Sequence, residues 1–368
     1  MDYGRSIEFG LSIVPDAANL AGIVDAVTVA DAVGFDLIGI QDHPYQRRFL
    51  DTMALIGHLL AVTKRVRIFP DVASLPMRSP AMIAKEAASL DVLSGGRFEL
   101  GLGAGFFWDA IAAMGGARRT QREAVDALAE AIAIIRQAWS GETSVRYRGR
   151  YYTVDGYRPG PAPAHSIEIW VGAYKRGMLR LTGELGDGWI PSLGRMTLEE
   201  LAAGQEVIDA AAEEAGRDPA AIRRMVNIGA SLASTGASTK DAAHAETADA
   251  WTERLVELCT TYGVDTFVLW LSDPVASRSR ASPVRSSHGS GRESIVGDPE
   301  PDCRDGRVTS PRSQRLLAPC LPSAVLVDFG RLAIVRFLRA ASCAFLMFFR
   351  AAARCFSVAM ATSFVIDS

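Results

Sequence analysis

Apolar positions along the first 273 residues switch repeatedly between two periods. Short runs at 7–14, 35–40, 66–72, 98–103, 167–171, 189–191, 225–231 and 266–271 have the length and apolar character of strands. Between them the spacing turns helical. Leu20, Ile23, Val24 and Val27 share one helical face, and Ala124, Leu128, Ile132, Ile135 and Trp139 make a longer stripe. Further helices are expected over 51–63, from Pro80 to just before Gly95 and Gly96, and over 175–185, 198–215 and 248–262. Proline inside the start and glycine past the end is the sterically favoured arrangement. One segment breaks the rhythm. Residues 144–157, with Val145-Arg146-Tyr147-Arg148 before Gly149 and Tyr151-Tyr152 after it, read as a β-hairpin inserted between the fourth and fifth strands.

Eight strands alternating with helices predict an α/β fold, a closed parallel (β/α)8 TIM barrel over residues 1–273; a doubly wound open sheet is the structural alternative. The remainder, 274–368, has a different character. Residues 276–315 are rich in Ser, Arg, Pro and Gly without periodicity, and are expected to be disordered. Residues 323–366 are apolar but interrupted by arginines, and the longest uncharged stretch there, 340–349, is too short for a membrane span of about 20 residues.

Charge and cysteine sharpen this division. The net charge of -3 gives no footprint for nucleic acid, but it averages a body with 26 basic and 35 acidic residues against a tail with 13 and 7. The last lysine is Lys240, so every basic residue of the tail is arginine, and four of the five cysteines also lie there. Arginine without lysine, with scattered cysteine, serine and proline, is what a shifted reading frame of GC-rich DNA produces. A frameshift near codon 276 is one expectation for the tail, and a genuine basic extension is its rival. The body has only Cys259, which suits a reducing cytoplasm, and MDYGRSIEFG lacks the pattern of a signal peptide.

In such a barrel the chemistry sits in the loops after the strands. After the second comes Asp42-His43, where histidine can handle a proton or simply hydrogen-bond a neighbour. After the fourth comes Gly101-Leu102-Gly103-Ala104-Gly105, which allows close approach of a ligand; it is not the dinucleotide fingerprint, because Phe106 stands where the third glycine is required. After the fifth, Gly172, Ala173, Tyr174, Lys175 and Arg176 open a helix with free N–H groups and two cations, the makings of a phosphate site or of an ordinary solvated helix start. His58, His165, His244 and His288 sit mid-helix, in loops or in the tail, and are read as structural. No metal-ligand cluster, Gly-x-Ser-x-Gly elbow or Walker motif appears, which removes metal catalysis and serine hydrolysis.

The segment Leu90-Asp91-Val92-Leu93-Ser94-Gly95-Gly96-Arg97-Phe98-Glu99-Leu100-Gly101-Leu102-Gly103-Ala104-Gly105 resembles the signature of the bacterial luciferase-like superfamily of flavin- or F420-dependent oxidoreductases. Four further segments, at 35–44, 169–173, 186–191 and 265–270, follow in family order. The resemblance implies a (β/α)8 barrel with reduced F420 or FMN in its mouth. It implies phosphate contacts from Gly172 to Arg176, a ring or ribityl lining by Gly103 and Gly105, and a bulge with a non-proline cis peptide near Asp71-Val72. It implies a cofactor contact from Asp42 and a proton-handling role for His43. Many members are homodimers, and their substrates are small organic molecules. One departure matters: F420-dependent sugar-phosphate dehydrogenases carry glutamate where this chain has Phe106, followed by Phe107 and Trp108. That argues for an apolar or planar substrate, with Asp109 the remaining nearby carboxylate. The alternatives are a non-catalytic cofactor-binding barrel and an inactive frameshift product.

Overall fold

The computed structural model describes residues 4–230 and 248–271. Its strands are β1 (Glu8–Ile13), β2 (Leu37–Ile40), β3 (Arg67–Pro70), β4 (Ala73–Ser74), β5 (Leu100–Gly103), β6 (Val145–Arg148), β7 (Thr153–Tyr157), β8 (Ile169–Val171), β9 (Gly188–Trp189), β10 (Arg223–Ala230) and β11 (Thr266–Leu271). The helices are α1 (Leu20–Val33), α2 (Thr52–Val62), α3 (Pro80–Ser94), α4 (Trp108–Ala113), α5 (Gln121–Trp139), α6 (Arg176–Leu185), α7 (Leu198–Glu214) and α8 (Ala248–Thr260).

Nine strands form one parallel sheet in the order β3-β2-β1-β11-β10-β9-β8-β5-β4. The order begins and ends on consecutive strands, so the sheet is a ring of eight staves in which β3 and β4 are two halves of one. The expected single strand at 66–72 is therefore split. Its first half pairs with β2, its second half pairs with β5, and Asp71-Val72, whose peptide is cis, lies between. A bridge from Ile68 to Phe98 completes the closure, with the Ile68 N–H on the Arg97 carbonyl at 2.9 Å. The antiparallel β6-β7 hairpin stands apart from the ring, inserted before the fifth stave as its alternation implied.

The barrel forms because its staves are largely buried on both faces. One set of side chains, including Leu11, Ile13, Ile38, Ile40, Val226 and Ile228, packs outward against the helices. The other set fills the lumen: Leu37, Phe69, Trp170, Ile190, Met225 and Val268. Each fully buried side chain of this size contributes about 1.5–3 kcal/mol through removal from water. The helix starts follow local rules. Asp51 caps α2 through the Ala54 N–H, Ser79 caps α3 with Pro80 in the first turn, and Thr120 with Glu123 and Thr197 with Glu200 make capping boxes for α5 and α7.

Boundaries shift in places. The seventh stave begins at Arg223 rather than 225, because two arginines there point their charge into ion pairs rather than to solvent. The stave expected at 189–191 is Gly188–Trp189, and α4 was not foreseen because its six residues are too few to show a period. The expectations for Ser231, His244, His288 and the whole of 274–368 lie outside the described residues. Among the described residues no helix is long and apolar enough to cross a membrane.

Candidate active site

The C-terminal ends of the staves form the mouth. Alternation along each strand decides what faces it. Above the apolar lumen the inward positions are small or polar: Ser12 on β1, Gly39 on β2, Gly103 on β5, and Asn227 and Gly229 on β10. Ser12 lies in register with Gly39, and Gly229 with Trp270 of β11. Large side chains at these positions would close the barrel; small ones leave a depression.

Val72 fills its floor. A Cβ on Gly103 would lie 2.7 Å from Val72 Cγ2, and one on Gly172 3.1 Å from the same atom. Both glycines are thus required by the wedge between β5 and β8. Gly105 is required twice, by a φ of +98° and by Pro76, which a Cβ would meet at 2.6 Å.

Asp42 and His43 stand at the end of β2. Asp42 is 2% exposed. Its Oδ2 accepts from the Ser74 N–H at 2.8 Å and from the Arg78 guanidinium at 2.6 Å, and Arg78 also pairs with Asp51. Its Oδ1 is buried with no partner among the described residues. The His43 ring is half-buried, with Nδ1 2.8 Å from the Tyr45 hydroxyl and its plane nearly perpendicular to that of Phe107. Burial holds the imidazole pKa below its ordinary value, and nearby Arg195 adds to this against the opposing pull of Asp42. Burial and Asp42 push the Tyr45 phenol up to about 12.

Asp71 sends its side chain across the lumen. Oδ1 accepts from Asn227 Nδ2 at 3.2 Å, linking staves on opposite sides of the ring. Burial pushes its carboxyl up to about 7, the Asn227 hydrogen bond opposing only in part.

The start of α6 differs from that of α7. Lys175 occupies the cap position and makes no side-chain cap hydrogen bond. The first intrahelical bond is the Leu179 N–H to the Lys175 carbonyl, so the first-turn N–H groups have no helical acceptor. A cavity of about 250 Å³ opens here, lined by Tyr174, Lys175, Arg176, Arg195, Glu200 and Gly204 among others. Tyr174 and Ala173 serve the walls: the Tyr174 hydroxyl accepts from the Ser192 N–H at 3.0 Å, and the Ala173 carbonyl from the Trp189 indole at 2.9 Å. Arg195 connects this cavity to the mouth by stacking over Phe106 at 5.1 Å.

The eleven residues singled out from sequence fall into two groups around one mouth: Asp42, His43, Asp71, Val72, Gly103 and Gly105 at its floor and one flank, and Gly172, Ala173, Tyr174, Lys175 and Arg176 at the other. Sequence reasoning missed Ser12, Arg78, Arg195 and Asn227. Strand alternation could have found two of them, since Ser12 and Asn227 each interrupt an apolar strand at an inward position. Asp109, in contrast, is exposed and paired with Arg118, so it brings no buried carboxylate to the mouth. His58 is exposed on α2.

The family model described as luciferase-like monooxygenase matches residues 1–305. The chain belongs to this family. The match runs past the body into the first part of the compositionally distinct tail. A 5,10-methylenetetrahydromethanopterin reductase of Archaeoglobus fulgidus is 33% identical over 213 residues, covering 57% of this chain and 60% of that protein. An F420-dependent glucose-6-phosphate dehydrogenase of Gordonia bronchialis is 32% identical over 237 residues, covering 61% and 68%. The chain therefore spans about three-fifths of the length of the first of these relatives. The oxygenating constituent of 3,6-diketocamphane monooxygenase from Pseudomonas putida, a type II Baeyer-Villiger monooxygenase solved with FMN, superposes with a TM-score of 0.61 at 21% identity, covering 73% of this chain and 93% of that one. The shared fold is the luciferase-like TIM barrel.

Proposed function

We propose that this family member is an oxidoreductase that binds reduced F420, or FMN, in the barrel mouth and acts on an apolar or planar small organic molecule. The observation that carries the reading is the pairing of an uncapped helix start, flanked by Lys175, Arg176 and Arg195, with a flat glycine-walled floor at Val72. The donor set suits the group: N–H dipoles and cations for a phosphate, and a surface lacking Cβ atoms for a planar ring. The F420-dependent name of the Gordonia relative favours the deazaflavin, and the FMN-bound neighbour keeps the flavin as the alternative.

When bound, the cofactor supplies hydride transfer or oxygen activation; the protein binds, orients and moves the proton. The α6 first turn with Lys175 and Arg176 holds the phosphate. Val72, Gly103 and Gly172 make the ring's resting surface, with Gly105 shaping the loop beside it. Arg78 fixes Asp42 through one carboxylate oxygen and leaves the other for the ligand. His43 is neutral at pH 7 because burial lowers its pKa. The Tyr45 phenol, with its pKa pushed up to about 12, stays protonated and orients the ring through its hydrogen bond with Nδ1. Oriented this way, the neutral His43 ring can exchange a proton with a substrate oxygen, taking one up and returning it to solvent at the open mouth. The exposed Phe106 and Phe107 face the incoming substrate with apolar surface. The same reading places the protein in a cytoplasm, without nucleic-acid partners, and as a homodimer.

The test is separate reconstitution of the protein with F420 and with FMN. Binding of F420 with oxidation of its reduced form by members of an apolar substrate panel is expected. Tight FMN binding without F420 binding moves the reading to the flavin, binding without turnover leaves a non-catalytic barrel, and binding of neither overturns the proposal. We also propose that 274–368 derives from a frameshift near codon 276; abundant tail peptides in mass spectra of the native protein would overturn that.

A further inference from the structure

Three polar side chains at the floor of the mouth carry buried atoms that nothing among the described residues satisfies: Ser12 Oγ, Asp71 Oδ2 and Asn227 Oδ1. A buried polar atom without a partner costs about 1–3 kcal/mol, so three at one level of one lumen call for an occupant. Asn227 itself is only 6% exposed. The three come from staves spread around the ring. Asp71 and Asn227 meet across it at 3.2 Å. A Cβ on Gly39, in register with Ser12, would lie 2.9 Å from Phe69 Cζ and 3.2 Å from Asp71 Oδ2, so the bare backbone of β2 makes room for the Asp71 carboxyl beside β1.

The chemistry of the three atoms selects the occupant. Asn227 Oδ1 can only accept. Ser12 can donate or accept. Asp71, kept protonated over much of the range below its raised pKa of about 7, donates from its carboxyl. Adjacent acceptor and donor sites match a neutral group with an N–H beside a C=O, and the lack of a cation among the three disfavours an anion. Topology gives the direction. β1 stands opposite β8 in the ring of eight staves, so a ligand anchored by phosphate where β8 enters α6 extends over Val72 toward Ser12.

We infer that Ser12, Asp71 and Asn227 form a recognition pocket for the imide edge, an N–H between carbonyls, of the planar ring held in the mouth. The inference rests on the functional reading above and deepens it: these residues are positioning groups that fix which edge of the ring faces inward. They touch the pyrimidinedione side, away from the atom that exchanges hydride.

The experiment compares FMN with 3-methyl-FMN, and F420 with its 3-methyl derivative, by fluorescence titration of the full-length protein. Methylation at that nitrogen removes the donor and adds bulk at the same point. Wild type is expected to bind the methylated form at least about 30-fold more weakly than the parent. In Ser12→Ala and Asn227→Leu, the parent is expected to lose about 10-fold, and the gap between parent and methylated form to shrink below about 3-fold. Circular dichroism and thermal melting confirm that each variant is folded, and Ser12→Ala keeps the test valid should Asn227→Leu fail to fold. Equal binding of the two forms by wild type, or an unchanged gap in Ser12→Ala, overturns the inference alone. Binding of neither parent cofactor overturns the functional reading and the inference with it.

Discussion

The two ends of this barrel treat polar groups in opposite ways. At the N-terminal ends of the staves the charges pair with one another. Glu8 bridges Arg67 at 2.6 Å and Arg223 at 3.0 Å; Glu99 takes Arg67 at 2.9 Å and the Glu168 N–H at 2.8 Å; Arg223 reaches Glu168 at 3.4 Å. Asp91, fully buried, accepts the Ala164 and His165 N–H groups and the His165 ring, whose other nitrogen meets Glu99. At the C-terminal ends Ser12, Asp42, Asp71 and Asn227 each keep a buried atom without a partner among the described residues. The same strands therefore carry a network of ion pairs below and unmet hydrogen-bonding capacity above. The base contributes stability, and the mouth gives stability up for a ligand.

The largest effect that would break this contrast is at the base. Asp91→Ala removes the buried carboxylate that meets the Phe98, Ala164 and His165 N–H groups and the His165 ring, and we expect a loss of about 3–5 kcal/mol in denaturant unfolding; a loss under about 1 kcal/mol would show that the network is not structural. At the mouth, His43→Gln should leave unfolding within about 1 kcal/mol of wild type while lowering kcat by about 100-fold or more, as expected for loss of a proton-exchanging group. Unchanged turnover would end that role.

Asp71 separates the two ends by the sign of its effect. Its carboxyl pKa is raised from 3.8 to about 7, so the folded state resists ionisation and wild-type stability falls as pH rises from about 4 toward 7. Asp71→Asn removes that penalty. We expect the ligand-free variant to be more stable than wild type by on the order of 2 kcal/mol at pH 8, the gain vanishing near pH 4; a three-unit shift would represent ~4 kcal/mol before relaxation of the site. A variant less stable than wild type at pH 8 would contradict the reading of the mouth as strained. The smallest effect is at the base again. The hydrogen bond to Glu99 and the charges of Glu99 and Asp91 raise the His165 pKa above its ordinary value. Its contribution is present in full below pH 6.5 and lost as pH rises through the raised pKa. Because the ring is partly exposed, His165→Asn should remove no more than about 1 kcal/mol of stability at pH 6, and less at pH 9.

Much of this architecture was legible from periodicity. Eight strand-like runs alternating with helical stripes required a closed or doubly wound α/β sheet, and the motif order pointed to the luciferase-like barrel. The split of 66–72 is marked in the sequence only by Pro70-Asp71, which interrupt the apolar run; a proline and a carboxylate show a break but not that the second half changes partner from β2 to β5. His43, the glycines and Lys175-Arg176 were found because they follow strands, which sequence order reveals. Arg78 was missed because its partner Asp42 lies 36 residues away on another element, and Asn227 because its partner Asp71 lies 156 residues away across the lumen.

The sequence by itself determined which strand residues face in and which face out, where the capped helices α2, α3, α5 and α7 begin, and that α6 starts at a lysine, which offers no acceptor to its first turn. These are local properties, set by the two-residue period of a strand and by the first-turn N–H groups of a helix. Only the tertiary structure decided which inward residues stand opposite one another. Closing the sheet staggers its staves, and that stagger, absent from any single strand's pattern, joins the charges at the base and leaves Ser12, Asp71 and Asn227 unsatisfied at the mouth.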